Sequence, residues 1–240
     1  MSIEDQKRGD LPNVTAVGQA TVVLKAPQNK LATFGMTKVE YYVVTDAIYQ
    51  DANDDAAEAV IRKGFVSVAP PAVVTPGYMR RLEGFGEDAL NYFTGLAQKY
   101  GSNSPGLLYR YSNDHVSTDI VQGKSFDVAK GLTERLESSS DQTAVIIGID
   151  NLWDICLLQF VFEFTMASIE NNIRELGRLR LIDPEPGLGV PRAAIKDIEL
   201  LFVETSKGNI DPSVLKIELD RWQIFDRYQD RFLALFRNKS

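Results

Sequence analysis

Apolar and polar positions change their rhythm near residue 125. Before that point the apolar runs are short and rich in β-branched and aromatic residues, the composition of strands. Ala20 to Lys25 (ATVVLK) and Val39 to Tyr49 (VEYYVVTDAIY) each predict one strand. Ala59 to Val68 (AVIRKGFVSV) is split by Gly64, which predicts either a hairpin turning at Lys63-Gly64 or one strand with a glycine bulge. Thr75-Pro76 supplies a capping hydroxyl and a first-turn proline for a helix to Leu82. Gly84-Phe85-Gly86 interrupts it, and it resumes over Glu87 to Tyr100, where Leu90, Phe93, Ala97 and Tyr100 share a face and Gly101 ends the run. Leu107 to Tyr111 and Val116 to Val121 predict two strands around an Asn113-Asp114 turn.

After residue 125 the spacing becomes helical. Ser125 is placed to cap a helix carrying Val128, Leu132 and Leu136 on one side. Thr143 to Leu176 predicts one long helix, because Val145, Ile149, Leu152 and Cys156 keep a three-to-four spacing; the alternative is a strand over AVIIGI and a helix from Asp150. Within it, Leu152 to Ala167 (LWDICLLQFVFEFTMA) is apolar almost all round, broken only by Asp154, Gln159 and Glu163. A helix of that kind is expected to be buried. Ile182 to Pro191 breaks the pattern, Pro191 to Thr205 restores it, and Asp211-Pro212 opens a last helix to about Arg237. Leu215, Leu219, Trp222, Phe225, Phe232 and Phe236 form its apolar stripe.

These elements predict an α+β fold: a small antiparallel sheet in the N-terminal half, packed with a helical C-terminal half around a buried central helix. The expected organisation is a flexible segment at 1–14, a β-rich half with one broken helix at 15–125, and an α-helical half at 126–240. The two halves form either one domain or two, since 240 residues allow both.

Charge and composition narrow the partners. The net charge of -7 opposes the nucleic-acid phosphate backbone, and the 26 lysines and arginines are scattered, so no nucleic acid is expected. The N-terminus lacks the apolar stretch of a signal peptide, and no run reaches the ~18 uninterrupted apolar residues of a membrane span. A cytoplasmic protein is expected. The single cysteine, Cys156, lies inside the apolar run and reads as a small buried hydrophobe. With one histidine and one cysteine, no metal set is predicted, and no cofactor is implied.

The local motifs resolve mostly into structure. Gly123-Lys124-Ser125 ends like a phosphate-binding loop, but the glycine needed five positions earlier is Thr118; the segment predicts a strand-to-helix turn. Asp51, Asn53 and Asp55 begin like a calcium loop, but its sixth and twelfth places are Ala56 and Arg62. Gly84-Phe85-Gly86 lacks the third glycine of a dinucleotide fingerprint. Arg110 to His115 gathers the densest set of reactive groups, which turn chemistry also accounts for. A second cluster, Arg62-Lys63 with Arg80-Arg81, would suit an anion.

No reaction is named by these residues, and enzyme status stays open. The expected function is a non-enzymatic protein–protein interaction or assembly role, with a protein partner or homo-oligomer held through Trp222, Phe225 and Tyr228. The alternative is an enzyme or small-molecule or anion binder whose dispersed site in the sheet–helix cleft comprises Arg62, Arg80, Arg110 and His115.

Overall fold

The computed structural model describes residues 18–48, 57–136 and 141–237. The expected flexible segment 1–14, the acidic stretch Asp51–Asp55 and the linker Ser138–Ser140 lie outside the described residues. After a short helical stretch at 18–20, the elements are β1 (Val22–Lys25), β2 (Thr37–Asp46), β3 (Glu58–Val68), β4 (Ala72–Val74), α1 (Pro76–Met79), α2 (Glu87–Tyr100), β5 (Gly106–Leu108), β6 (Tyr111–Gln122), α3 (Ser125–Leu136), β7 (Thr143–Ile147), α4 (Trp153–Arg178), α5 (Arg192–Ser206), α6 (Pro212–Arg221) and α7 (Phe225–Arg237). The fold class is α+β.

The chain divides into two compact units, each built from two stretches: Met1–Pro70 with Arg110–Asn172, and Pro71–Tyr109 with Ile173–Ser240. The divisions therefore fall at 70, 109 and 172 rather than near 125. Strand pairing sets this arrangement, because β6 returns from a distant part of the sequence to pair with β3.

The first unit holds a five-stranded sheet in the order β1-β7-β2-β3-β6. The expected antiparallel sheet is in fact mixed: β7 runs parallel to β2, and the other neighbours are antiparallel. The parallel pair follows from the α3 crossover, which carries the chain from the edge strand β6 back to the middle of the sheet. The strand at β7 also corrects the single long helix expected over Thr143 to Leu176. Ala144, Val145 and Ile146 are all fully buried. A strand covered on both faces shows no alternation, so its apolar run passes for a helical one.

β3 is one uninterrupted strand, and the irregularity lies on its partner. The β3–β6 register jumps from Phe65↔Asp114 to Lys63↔Ser117, with His115 in the left-handed region at φ 58°. Asn113 and Asp114 thus belong to a strand and not to the expected turn; continuous pairing with β3 overrides their local preference. Gly64 sits opposite Tyr41, whose ring crosses the space a side chain would take and whose hydroxyl donates to Asn113 Oδ1 at 2.8 Å.

One helix covers each face of this sheet. On one face Ala129 of α3, with Val128, Leu132 and Leu136, packs on Tyr42, Val44, Ala59, Ile61 and Val145. The first helical amide, that of Ser125, donates to Asp46 Oδ1 at 2.8 Å, so the expected serine cap is replaced by the aspartate ending β2. Gly123 makes the strand-to-helix turn at φ 126°. On the other face, α4 packs Cys156 beneath Gly148, where an added Cβ would come within 2.8 Å of its Sγ. Tyr111 Oη and Thr165 Oγ1 share a 2.6 Å hydrogen bond, and Asn172 Nδ2 donates to Leu31 O and Thr33 Oγ1, both at 2.8 Å.

The central helix is not buried all round. Cys156, Leu157, Phe160, Val161, Phe164, Ser168 and Asn172 are buried, while Leu158, Phe162 and Met166 are 65%, 65% and 54% exposed. A helix lying on one sheet face has one stripe to bury, so an apolar opposite side stays open. Residues 150–178 are also long and apolar enough to cross a membrane by length and composition alone, with a mean hydropathy of 1.5 over their most apolar window.

In the second unit, β4 and β5 pair antiparallel, and α1, α5, α6 and α7 enclose Tyr78, Ile198, Phe202, Leu215, Leu219, Trp222 and Phe232. Thr75 Oγ1 caps α1 from Tyr78 N at 3.2 Å, and Asp211 Oδ1 caps α6 from Ser213 N at 2.8 Å. The helix expected to reach Leu82 ends at Met79. The single last helix is two, parted at Gln223, which takes φ 58° without being a glycine.

Gly64→Ala is expected to cost about 2–3 kcal/mol, because its Cβ would lie 2.5 Å from a tethered tyrosine hydroxyl. In a Tyr41→Ala background the same substitution should be close to neutral. Urea unfolding of the four proteins measures both effects.

Candidate functional site

The residues expected to form a dispersed site are placed as follows. In the first unit, Arg62 projects from β3 into a polar node. Its Nη1 donates to Asp150 Oδ1 at 2.7 Å and to Thr45 Oγ1 at 3.2 Å, while Thr45 Oγ1 donates to the same carboxylate at 2.8 Å. The guanidinium carbon lies 5.5 Å from the centroid of the Trp153 ring. Side-chain exposures of 15% and 13% for Arg62 and Asp150 make this a largely desolvated pair. It binds β2 and β3 to the turn that launches α4, so the guanidinium is engaged structurally.

Arg110 is exposed, and its carbonyl accepts from Ala69 N at 3.0 Å. That contact sets it seven β3 positions from Arg62, about 23 Å at ~3.3 Å per residue. The two arginines do not meet. His115 is exposed at the β6 bulge. On the opposite face of β3 from the node, Lys63 pairs with Glu40 at 2.9 Å, and its hydrogen bond to that carboxylate raises the ammonium pKa above its usual range. Arg80 belongs to the second unit.

Of the residues expected at an interface, Trp222 is 8% exposed. Its ring lies 4.6 Å from that of Tyr78, and its Nε1 donates to Glu218 Oε1 at 3.1 Å. Phe225 and Tyr228 are half-buried against the same core, and burial raises the pKa of the Tyr228 phenol. The apolar stripe of the C-terminal segment is therefore largely spent on its own unit.

Two other features have the makings of a site. The first is a cleft of about 380 Å³ in the second unit, lined by Tyr78, Arg80, Arg81, Ser102, Asn103 and Gln223 among others. It takes shape because Gly77 has no side chain: a Cβ there would come within 3.0 Å of Ser102 O and 3.8 Å of Arg81 Nη1. Arg81 Nη1 donates to Gly77 O at 2.6 Å and Arg221 O at 3.2 Å. Burial, and then the neighbouring Arg80 cation, lower the Arg81 pKa. A separate hollow of about 430 Å³, walled by Met79, Phe93, Leu96, Leu107 and Leu108, offers mostly apolar surface.

The second feature is the outer side of α4 in the first unit. Ile155, Leu158, Phe162, Met166 and Ile169 fall within about 80° of one another at 100° per residue. They make a straight apolar stripe roughly 21 Å long at 1.5 Å per residue. Gln159 and Glu163, at one margin, are joined by a 3.1 Å hydrogen bond. The sequence carries the signal for this stripe, since residues 152–167 are apolar almost all round. What it lacked was the identity of the covered side.

The chain matches no family model, no curated protein and no solved structure.

Removing either partner of the Arg62–Asp150 pair, as Arg62→Met or Asp150→Asn, is expected to cost roughly 3 kcal/mol. The cost of the double substitution should fall well short of the sum of the two. A double-mutant cycle by chemical denaturation measures this; additive losses would mean that the two groups stabilise the unit independently.

Proposed function

We propose that the chain is a non-enzymatic interaction or assembly protein, and that its docking surface is the outer stripe of α4. The observation that carries this reading is the exposure of Leu158, Phe162 and Met166 at successive helical turns. Large contiguous apolar surface is kept out of water unless a partner covers it. The occupant is a second copy of the same chain. A straight stripe repeating every 3.6 residues is complementary to itself, and an antiparallel crossing about a two-fold axis at its centre sets Phe162 of one copy against Phe162 of the other, and Leu158 against Met166. The open β6 edge lies on the same unit, but its residues are mainly polar and offer no comparable apolar surface.

Sedimentation equilibrium of the full chain tests the assignment. The wild-type chain is expected to form a dimer. Phe162→Glu should weaken it by at least about 30-fold, the loss of one central anchor worth ~2 kcal/mol. The far-ultraviolet spectrum and melting midpoint of the monomer should be unchanged, because that side chain touches little of its own unit. A wild-type monomer at high concentration would overturn the reading, as would binding of that monomer to anionic lipid vesicles through the same stripe.

A further inference from the structure

The polar cleft of the second unit is an independent feature with its own chemistry. Its lining carries two guanidinium groups, Arg80 and Arg81, and not one aspartate or glutamate. In a chain with net charge -7, this lining is cationic. Among the described residues neither arginine forms an ion pair. The nearby carboxylate of Glu218 is already engaged: it accepts from Tyr78 Oη and Trp222 Nε1, each at 3.1 Å, and from Arg221 Nη1 at 3.4 Å. It does not line the cleft.

We propose that this cleft binds a small molecule through a phosphoryl group held between Arg80 and Arg81. Arg81 is prepared for the task. Nη1 is fixed by the carbonyls of Gly77 and Arg221, which orients the guanidinium plane and leaves Nη2 and Nε for a ligand. Arg80 is exposed and forms the other arm of the clamp. Asn103, Ser102 and Gln223 supply neutral hydrogen-bonding groups, and Asn103 Nδ2 comes so near Gly189 that a Cβ there would stand 3.4 Å from it. A dianion satisfies two guanidiniums where a monocarboxylate satisfies one. The volume of about 380 Å³ exceeds a bare phosphate and leaves room for an organic group against Leu188, Val190 and Trp222.

Calorimetric titration of the full chain with inorganic phosphate, phenyl phosphate and acetate, at constant ionic strength, tests the assignment. Saturable binding is expected for one or both phosphates and not for acetate. Binding of inorganic phosphate identifies the free ion as sufficient; binding of phenyl phosphate alone shows that the ester's organic group is needed. Arg80→Gln, which breaks no bond within the protein, should weaken binding at least tenfold with an unchanged melting midpoint. Arg81→Lys keeps the charge but loses the fork, and should weaken it as well. No saturable phosphate binding, or equal affinity in wild type and Arg80→Gln, would overturn the proposal. Neither result bears on dimerisation through α4.

Discussion

A sheet with two apolar faces has to be covered twice, and this requirement organises the first unit. α3 meets it on one side with a short amphipathic face: Ala129 lies flat on the strands and its polar residues turn outward. The second cover is α4, a helix of 26 residues whose turns up to Asn172 belong to this unit. Its inner stripe is anchored by packing at Cys156 and by hydrogen bonds at Thr165, Ser168 and Asn172. Because a helix meets a sheet along one side, everything apolar on the far side is surplus to the fold. The surplus is thus a consequence of geometry, and it leaves Leu158, Phe162 and Met166 open to solvent.

The polar node beneath the start of α4 complements this packing. Burying apolar side chains fixes how deeply a helix sits but not its register. Arg62, Thr45 and Asp150 supply direction, since one carboxylate oxygen accepts from two strands at once. Desolvation makes the pair a weak source of net stability, while a misplaced partner there would be costly. The node is therefore better understood as a locating pin than as a brace.

How much of this was legible in the sequence depended on whether the signal was local. The limits of α2 and the cap of α6 were plain because glycine at a helix end and Asp-Pro at a helix start act within a few residues. β7 matches the alternative reading of AVIIGI as a strand before a helix from Asp150; two-sided burial erases alternation and left helical spacing equally consistent with that run. Asn113-Asp114 suggested a turn because turn preferences are local, whereas pairing with β3 is not. The break at Gln223 had no glycine to announce it. For the sites, the sequence shows the chemistry of Arg62 and Arg110, yet strand register holds them apart, and Asp150 claims the first. Arg80 and Arg81 stand out as a pair, but the acid-free lining around them comes from residues far apart in sequence, from Thr75 to Gln223.

The kink at His115 has one more effect. β6 is the last strand of its sheet, with twelve residues and an outward row of peptide groups. An unbroken row of that length is a template on which foreign strands can stack, the first step toward fibrous aggregates. With the extra residue near its middle, the row splits into two short segments out of phase with each other. An incoming strand can match one segment only by missing the other, so the protein carries its own safeguard against runaway growth along that border.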